Sequence, residues 1–154
     1  MANEFYYCVS LSIVHTSVDP KTISSALSSL HLKIETMAGS ERRRSDGKLI
    51  EPQRKAILSH WLADLHEEKR LFSGDIPIST FILGELERLE IHADLIAELR
   101  QDGDVALRIG WFSESNYSAA IFDANMVKRC GALGLDIELN CYGPSAPAAP
   151  APDT

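Results

Sequence analysis

The sequence predicts an α+β domain: a mainly antiparallel sheet with helices packed on one face. Three observations carry this. Segments such as 5–13 and 105–111 alternate apolar and polar residues, the period-two signature of strands with one dry face. Other stretches repeat apolar residues at helical spacing. The pattern Leu-x-Leu-x-Ile-Glu occurs twice, at Leu30–Glu35 and Leu133–Glu138, each time behind a short helix opened by an aspartate. A helix-to-strand unit used at both ends of one chain reads as a pair of ferredoxin-like βαβ halves.

The first strand is the clearest, with Phe5, Tyr7, Val9, Leu11 and Ile13 alternating with Tyr6, Cys8, Ser10 and Ser12. Asp19 then stands at an N-cap position and Pro20 at the first helical position, where its missing N–H costs nothing. Ile23, Ala26, Leu27 and Leu30 extend an amphipathic helix over residues 20–30, and Leu32–Met37 form the next strand. A loop follows over 38–54, with Ser45-Asp46-Gly47-Lys48 at a turn.

Ala56–His66 is ambiguous, because Ile57, Leu58, Trp61, Leu62 and Leu65 suit a helix while Ile57, Trp61, Ala63 and Leu65 also suit one strand face. Residues 79–100 read as one long helix capped by Ser79 or Thr80, with Ile82, Leu86, Leu89, Ala93 and Ile96 as its stripe. Asp102-Gly103 turns the chain into the strand of Val105, Leu107, Ile109 and Trp111, and Ser118–Phe122 reads as a short partner strand. Asp123 caps the last helix, whose stripe is Met126, Val127, Cys130 and Leu133. Gly134 suits a left-handed stop before the strand of Leu135, Ile137, Leu139 and Cys141.

Residues 105–142, including Trp111-Phe112-Ser113-Glu114-Ser115 and the run Met126 to Glu138, resemble the C-terminal half of the bacterial domain of unknown function 4279 family. Tyr6 to Ile13 followed by Asp19-Pro20 resembles that family's opening strand and helix, so the resemblance spans about residues 4 to 142. It implies that the segment around Trp61 is a strand. It implies no activity, cofactor or catalytic residue. The chain departs from the pattern by a longer, more basic loop at 38–54 and a longer passage at 66–78.

Length and composition bound the function. The 154 residues, 45% hydrophobic, fit one domain over 1–142, and a chain of this size buries roughly 70% of its unfolded surface without needing disulfides or metal. Residues 143–154, rich in proline and alanine, cannot build a core and read as a disordered tail. Cys8, Cys130 and Cys141 match no zinc or redox spacing, which points to reduced thiols and a cytoplasmic protein. No stretch approaches the roughly 18 apolar residues of a membrane helix, and the first twenty residues lack the pattern of an export signal.

The net charge of −7 repels phosphate backbones and argues against nucleic acid. One stretch runs the other way: Glu41–Lys55 carries six basic residues against three acids, with Arg42, Arg43 and Arg44 as candidate anion contacts.

Catalytic motifs are missing. Neither glycine-rich phosphate loop occurs, no Gly-x-Ser-x-Gly elbow occurs, and His66-Glu67-Glu68-Lys69-Arg70 places arginine where a zinc helix needs its second histidine. On a strand, His60 and His66 stand about 20 Å apart at roughly 3.3 Å per residue, whereas zinc holds nitrogen at about 2 Å. His60, Asp64 and His66 therefore read as a solvated polar face, and His15, His31 and His92 as surface or turn histidines. No metal and no cofactor is expected.

The functional clue is geometric: strands with one greasy face leave the other side of the sheet open. That side carries Tyr6, Ser10, Ser12, Arg108, Glu138, Asn140 and Tyr142, a candidate binding surface for a protein partner or a small polar ligand, with a plain solvated face or a homodimer interface as the other readings. Leu32, Ile34, Leu135 and Ile137 should face the core, leaving Lys33, Asp136 and Glu138 outside. The expectation is a non-catalytic binding protein, for example an immunity-type inhibitor of a bacterial toxin. The alternative is an anion sensor or enzyme with a pocket between sheet and basic loop.

Overall fold

The computed structural model describes residues 4–41, 46–48 and 57–143. The basic residues Arg42, Arg43 and Arg44 and the tail from residue 144 onward lie outside them. In chain order the elements are β1 (Tyr6–His15), α1 (Pro20–Ala26), β2 (His31–Thr36), β3 (Ser59–Asp64) and β4 (Leu71–Phe72). There follow α2 (Ile78–Glu90), α3 (Ala93–Gln101), β5 (Gly103–Phe112), α4 (Ala124–Leu133) and β6 (Asp136–Tyr142).

One sheet runs in the order β2-β3-β1-β5-β6, with β4 paired to the first residues of β1. All pairs are antiparallel except β5–β6. Because β3 is antiparallel to both β1 and β2, the first βαβ half is split, with β3 inserted between its parallel strands. In the second half β5 and β6 lie side by side. The two halves share a helix-to-strand grammar but not a topology.

The helices cover one face only. Tyr7, Val9, Leu11 and Ile13 of β1, Trp61 and Ala63 of β3 and Val105, Leu107 and Ile109 of β5 are buried against Ile82, Leu86, Ile96 and Met126. Local chemistry sets the helix ends. Asp19 Oδ1 accepts from Lys21 N at 3.0 Å, and Asp123 Oδ1 accepts from Asn125 N at 2.9 Å and Met126 N at 3.2 Å. Gly134 takes φ 74° at the stop of α4, a conformation that glycine alone enters cheaply.

Several elements differ from their sequence reading. Residues 59–64 are strand, so the two-fold ambiguity resolves to the β register that buries Trp61 and Ala63. The helix expected over 79–100 is two helices. The N–H of His92 reaches back to the Leu89 carbonyl at 2.9 Å, tightening a turn that redirects the chain and lets Ile96 and Leu99 face the core. Ser79 is not its cap, since α2 begins after Pro77. The Ser79 hydroxyl instead donates to the Ile121 carbonyl at 2.6 Å and accepts from Asp123 N at 3.1 Å. That bond takes a backbone acceptor from residues 118–122, which form no strand.

The expected facing of the edge strands is also corrected. Leu135 is buried, and Leu32 and Ile137 keep the helix-side parity, opposite Ala63 and beside Leu107, but at the two edges of the sheet they remain 48% and 37% exposed. A bulge between Leu32 and Ile34 reverses the alternation, so Ile34 pairs with Leu62 on the open side and Glu35 pairs with Trp61 on the helix side. There the Glu35 carboxylate accepts from the Ser24 hydroxyl, which in turn accepts from Trp61 Nε1 at 3.0 Å. His66, expected in a solvated polar face, is buried where β3 has ended and β4 has not begun. Its Nε2 accepts from Val9 N at 3.0 Å, standing in for a missing ladder bond.

Candidate functional site

The uncovered face of the sheet is organised in cross-strand rows set by register. Ser10 of β1 lies between Asp64 of β3 and Arg108 of β5, and Arg108 lies beside Glu138 of β6. The result is a charged row. Lys33 Nζ sits 3.4 Å from Asp64 Oδ2, Ser10 Oγ donates to Asp64 Oδ1 at 2.6 Å, and Arg108 Nε lies 3.1 Å from Glu138 Oε1. Charges thus alternate across five strands, a width of roughly 20 Å at about 4.8 Å per strand.

The electrostatics favour recognition over proton transfer. Glu138 is held below the usual carboxylate range, first by the Asn140 side-chain amide at 3.1 Å and then by Arg108, which makes it a weaker base than a free glutamate. His60, also on this face, is shifted down by burial and by the nearby Arg108. Its Nε2 is buried without a hydrogen-bond partner among the described residues. Burial pushes the thiols of Cys8 and Cys130 up, which removes the thiolate a cysteine nucleophile needs. Among the described residues no three His, Cys, Asp or Glu side chains converge on a metal position.

A second row lies at the opposite end of the face. Phe72, Tyr6, Phe112 and Tyr142 follow one another across β4, β1, β5 and β6. Tyr6 and Phe72 have ring centroids 5.1 Å apart, while Phe112 stacks on Tyr142 at 4.8 Å with planes 9° apart. Between the two rows Gly110 opposes Cys8, and a Cβ there would come within 2.6 Å of Cys8 Sγ. The sheet surface is therefore lowered between the charged and aromatic rows.

Of the residues expected at the surface, Tyr6, Arg108, Glu138, Asn140 and Tyr142 share this face and remain at least partly open to solvent. Ser10, between Asp64 and Arg108, and Ser12, between Leu62 and Ala106, are on the same face but buried, so neither is offered directly to a partner. Arg42, Arg43 and Arg44 fall outside the described residues.

Sequence reasoning put Lys33 on the outer face and Asp64 in a polar strand face but missed their contact, which the pairing of β2 with β3 creates. It also missed Phe112, although Phe112 follows Arg108 and Gly110 at the same parity, and Arg70, which follows no local pattern. Compared with known proteins, the chain matches no family model, and neither a curated protein nor a solved structure matches it.

Proposed function

We propose that the chain is a non-catalytic binding protein whose working surface is the open face of its sheet. An immunity-type inhibitor of a bacterial toxin is one concrete form of this reading. The observation that carries it is the alternating row Lys33–Asp64–Ser10–Arg108–Glu138 on a rigid sheet, with an aromatic row beside it.

A row that mixes signs does not attract one charge class from afar. It rewards a partner whose own charges fall in the complementary order, and that gives specificity more than raw affinity. Arg108 and Glu138 keep 35% and 44% of their side-chain surface in water, so a partner can still reach both. Exposed aromatics such as Tyr6 and Tyr142 supply the apolar contact area that interface centres use. The alternative of an anion pocket built by Arg42, Arg43 and Arg44 falls on residues outside the described ones.

The test is affinity capture with the tagged full chain, followed by measured binding of the captured partner to variants. Arg108→Glu or Glu138→Arg is expected to weaken that partner about tenfold or more, which corresponds to about 1.4 kcal/mol. Lys128→Glu, on α4, should leave it bound. Equal affinity across all three variants would refute the open-face reading.

A further inference from the structure

We propose that the aromatic end of the open face is a small-molecule site for a planar heteroaromatic anion, with Arg70 as the anion contact. The site is a cleft of about 390 Å³ bounded by Tyr6, Arg70, Phe112, Glu114 and Tyr142. A second cleft of about 380 Å³ continues from it past Lys69. Both volumes fall within the range of small-ligand pockets, roughly 300–1,000 Å³.

The state of Arg70 identifies the ligand class. Its guanidinium carbon sits over the Phe112 ring, 3.7 Å from the centroid. Tyr142 already stacks on Phe112, and two planar groups cannot share one face of a ring, so Arg70 and Tyr142 take opposite faces. Stacking uses the π surface of the guanidinium and leaves its N–H donors in the plane free. Among the described residues Arg70 makes no ion pair and no hydrogen bond, and Lys69 beside it makes none either. An oriented cation with its donors unused in a cleft is a carboxylate or phosphate contact awaiting its anion.

The rest of the cleft selects the remainder of the ligand. Tyr6 is 49% exposed and Tyr142 54% exposed, so each keeps ring surface on which a flat ligand can stack. Glu114 supplies an acceptor on the same wall, suited to an N–H on a heteroaromatic ring. A nucleic-acid strand does not fit, because strand affinity grows with the number of phosphates neutralised. Among the described residues only Lys69 and Arg70 line it with positive charge, on a chain of net charge −7.

The proposal extends the binding reading of the open face, and its readout is separate: ligand binding can fail while partner capture through Arg108 succeeds, and the reverse. Titrations of the full chain, followed by NMR, would use adenosine 5′-monophosphate and indole-2-carboxylate as anionic heteroaromatic probes, with adenosine and inorganic phosphate as controls. At least one anionic probe should bind and shift the ring signals of Tyr6, Phe112 and Tyr142. Adenosine and phosphate should each bind about tenfold or more weakly than that probe, since each offers only half of the contacts. Arg70→Gln should weaken the probe about tenfold with an unchanged melting temperature, and Arg70→Lys, which keeps charge but loses the planar guanidinium, should fall between. No binding by either anionic probe, equal binding of adenosine, or unchanged affinity in Arg70→Gln would overturn the assignment.

Discussion

His60 shows how one side chain ties the binding face to stability. It pairs with Val14 and Thr36 across the sheet, and Arg108 and Glu138 reach toward it from β5 and β6. Burial and the Arg108 charge favour its neutral form, while Glu138 opposes them, and the net shift is below the ordinary value of 6.5. A histidine whose folded pKa is lowered binds fewer protons folded than unfolded. Its contribution is therefore full above about pH 6.5 and is lost as pH falls through the folded value. Urea denaturation between pH 7.5 and about pH 5 should show wild-type stability falling on acidification, with a shallower fall in His60→Gln. Equal slopes would show that His60 titrates alike in both states. His66, also buried, uses both ring nitrogens in hydrogen bonds: its Nε2 accepts from Val9 N and its Nδ1 donates to the Glu68 carbonyl at 2.6 Å.

Among the elements, the helix caps and the bulge decide most. The Asp123 carboxylate serves two backbone donors of α4, and α4 carries Met126, Cys130 and Leu133 into the core. Replacing Asp123 with alanine should lower unfolding stability by about 1 kcal/mol, read as a shift in urea midpoint at constant slope. A change within error would mean that Ser79, which receives Asp123 N, fixes the helix start unaided. The bulge in β2 works differently, since it adds a residue to one strand and so moves Ile34 onto the open side beside Lys33, which meets Asp64 there. Strand alternation fixes facing only until such an insertion. The second Leu-x-Leu-x-Ile-Glu run has no bulge, and its Ile137 and Leu139 stay in phase with Leu107 and Ile109.

Over the whole molecule, position in the sheet outweighs residue type. Leu11 lies on the central strand and is fully buried, whereas Leu32 lies on an edge strand and stays half exposed. Leu11→Ala should cost about 2–5 kcal/mol, while Leu32→Ala should cost less than about 1 kcal/mol, in line with surface substitutions. Similar losses for the two variants in chemical denaturation would contradict the one-sided cover of the sheet. That one-sidedness is also what leaves the charged and aromatic rows available, so the exposed face and the dry core are two results of the same layer arrangement.

The α+β class, the facing of β1, β5 and β6, both aspartate caps and the glycine stop are legible in local sequence. Each is written in residues a few positions apart, where side-chain period and capping chemistry act. From that alternation alone Tyr6, Arg108, Glu138, Asn140 and Tyr142 could be assigned to one face. Tertiary structure decided everything that depends on which strand meets which. It inserted β3 between β1 and β2, buried Ser10 and Ser12 between their neighbours, broke the long helix at Ile91–His92 and brought Arg70 over Phe112. Pairing and register join residues up to about a hundred positions apart, and their energies come from contacts that exist only after the chain has folded, so no local pattern records them.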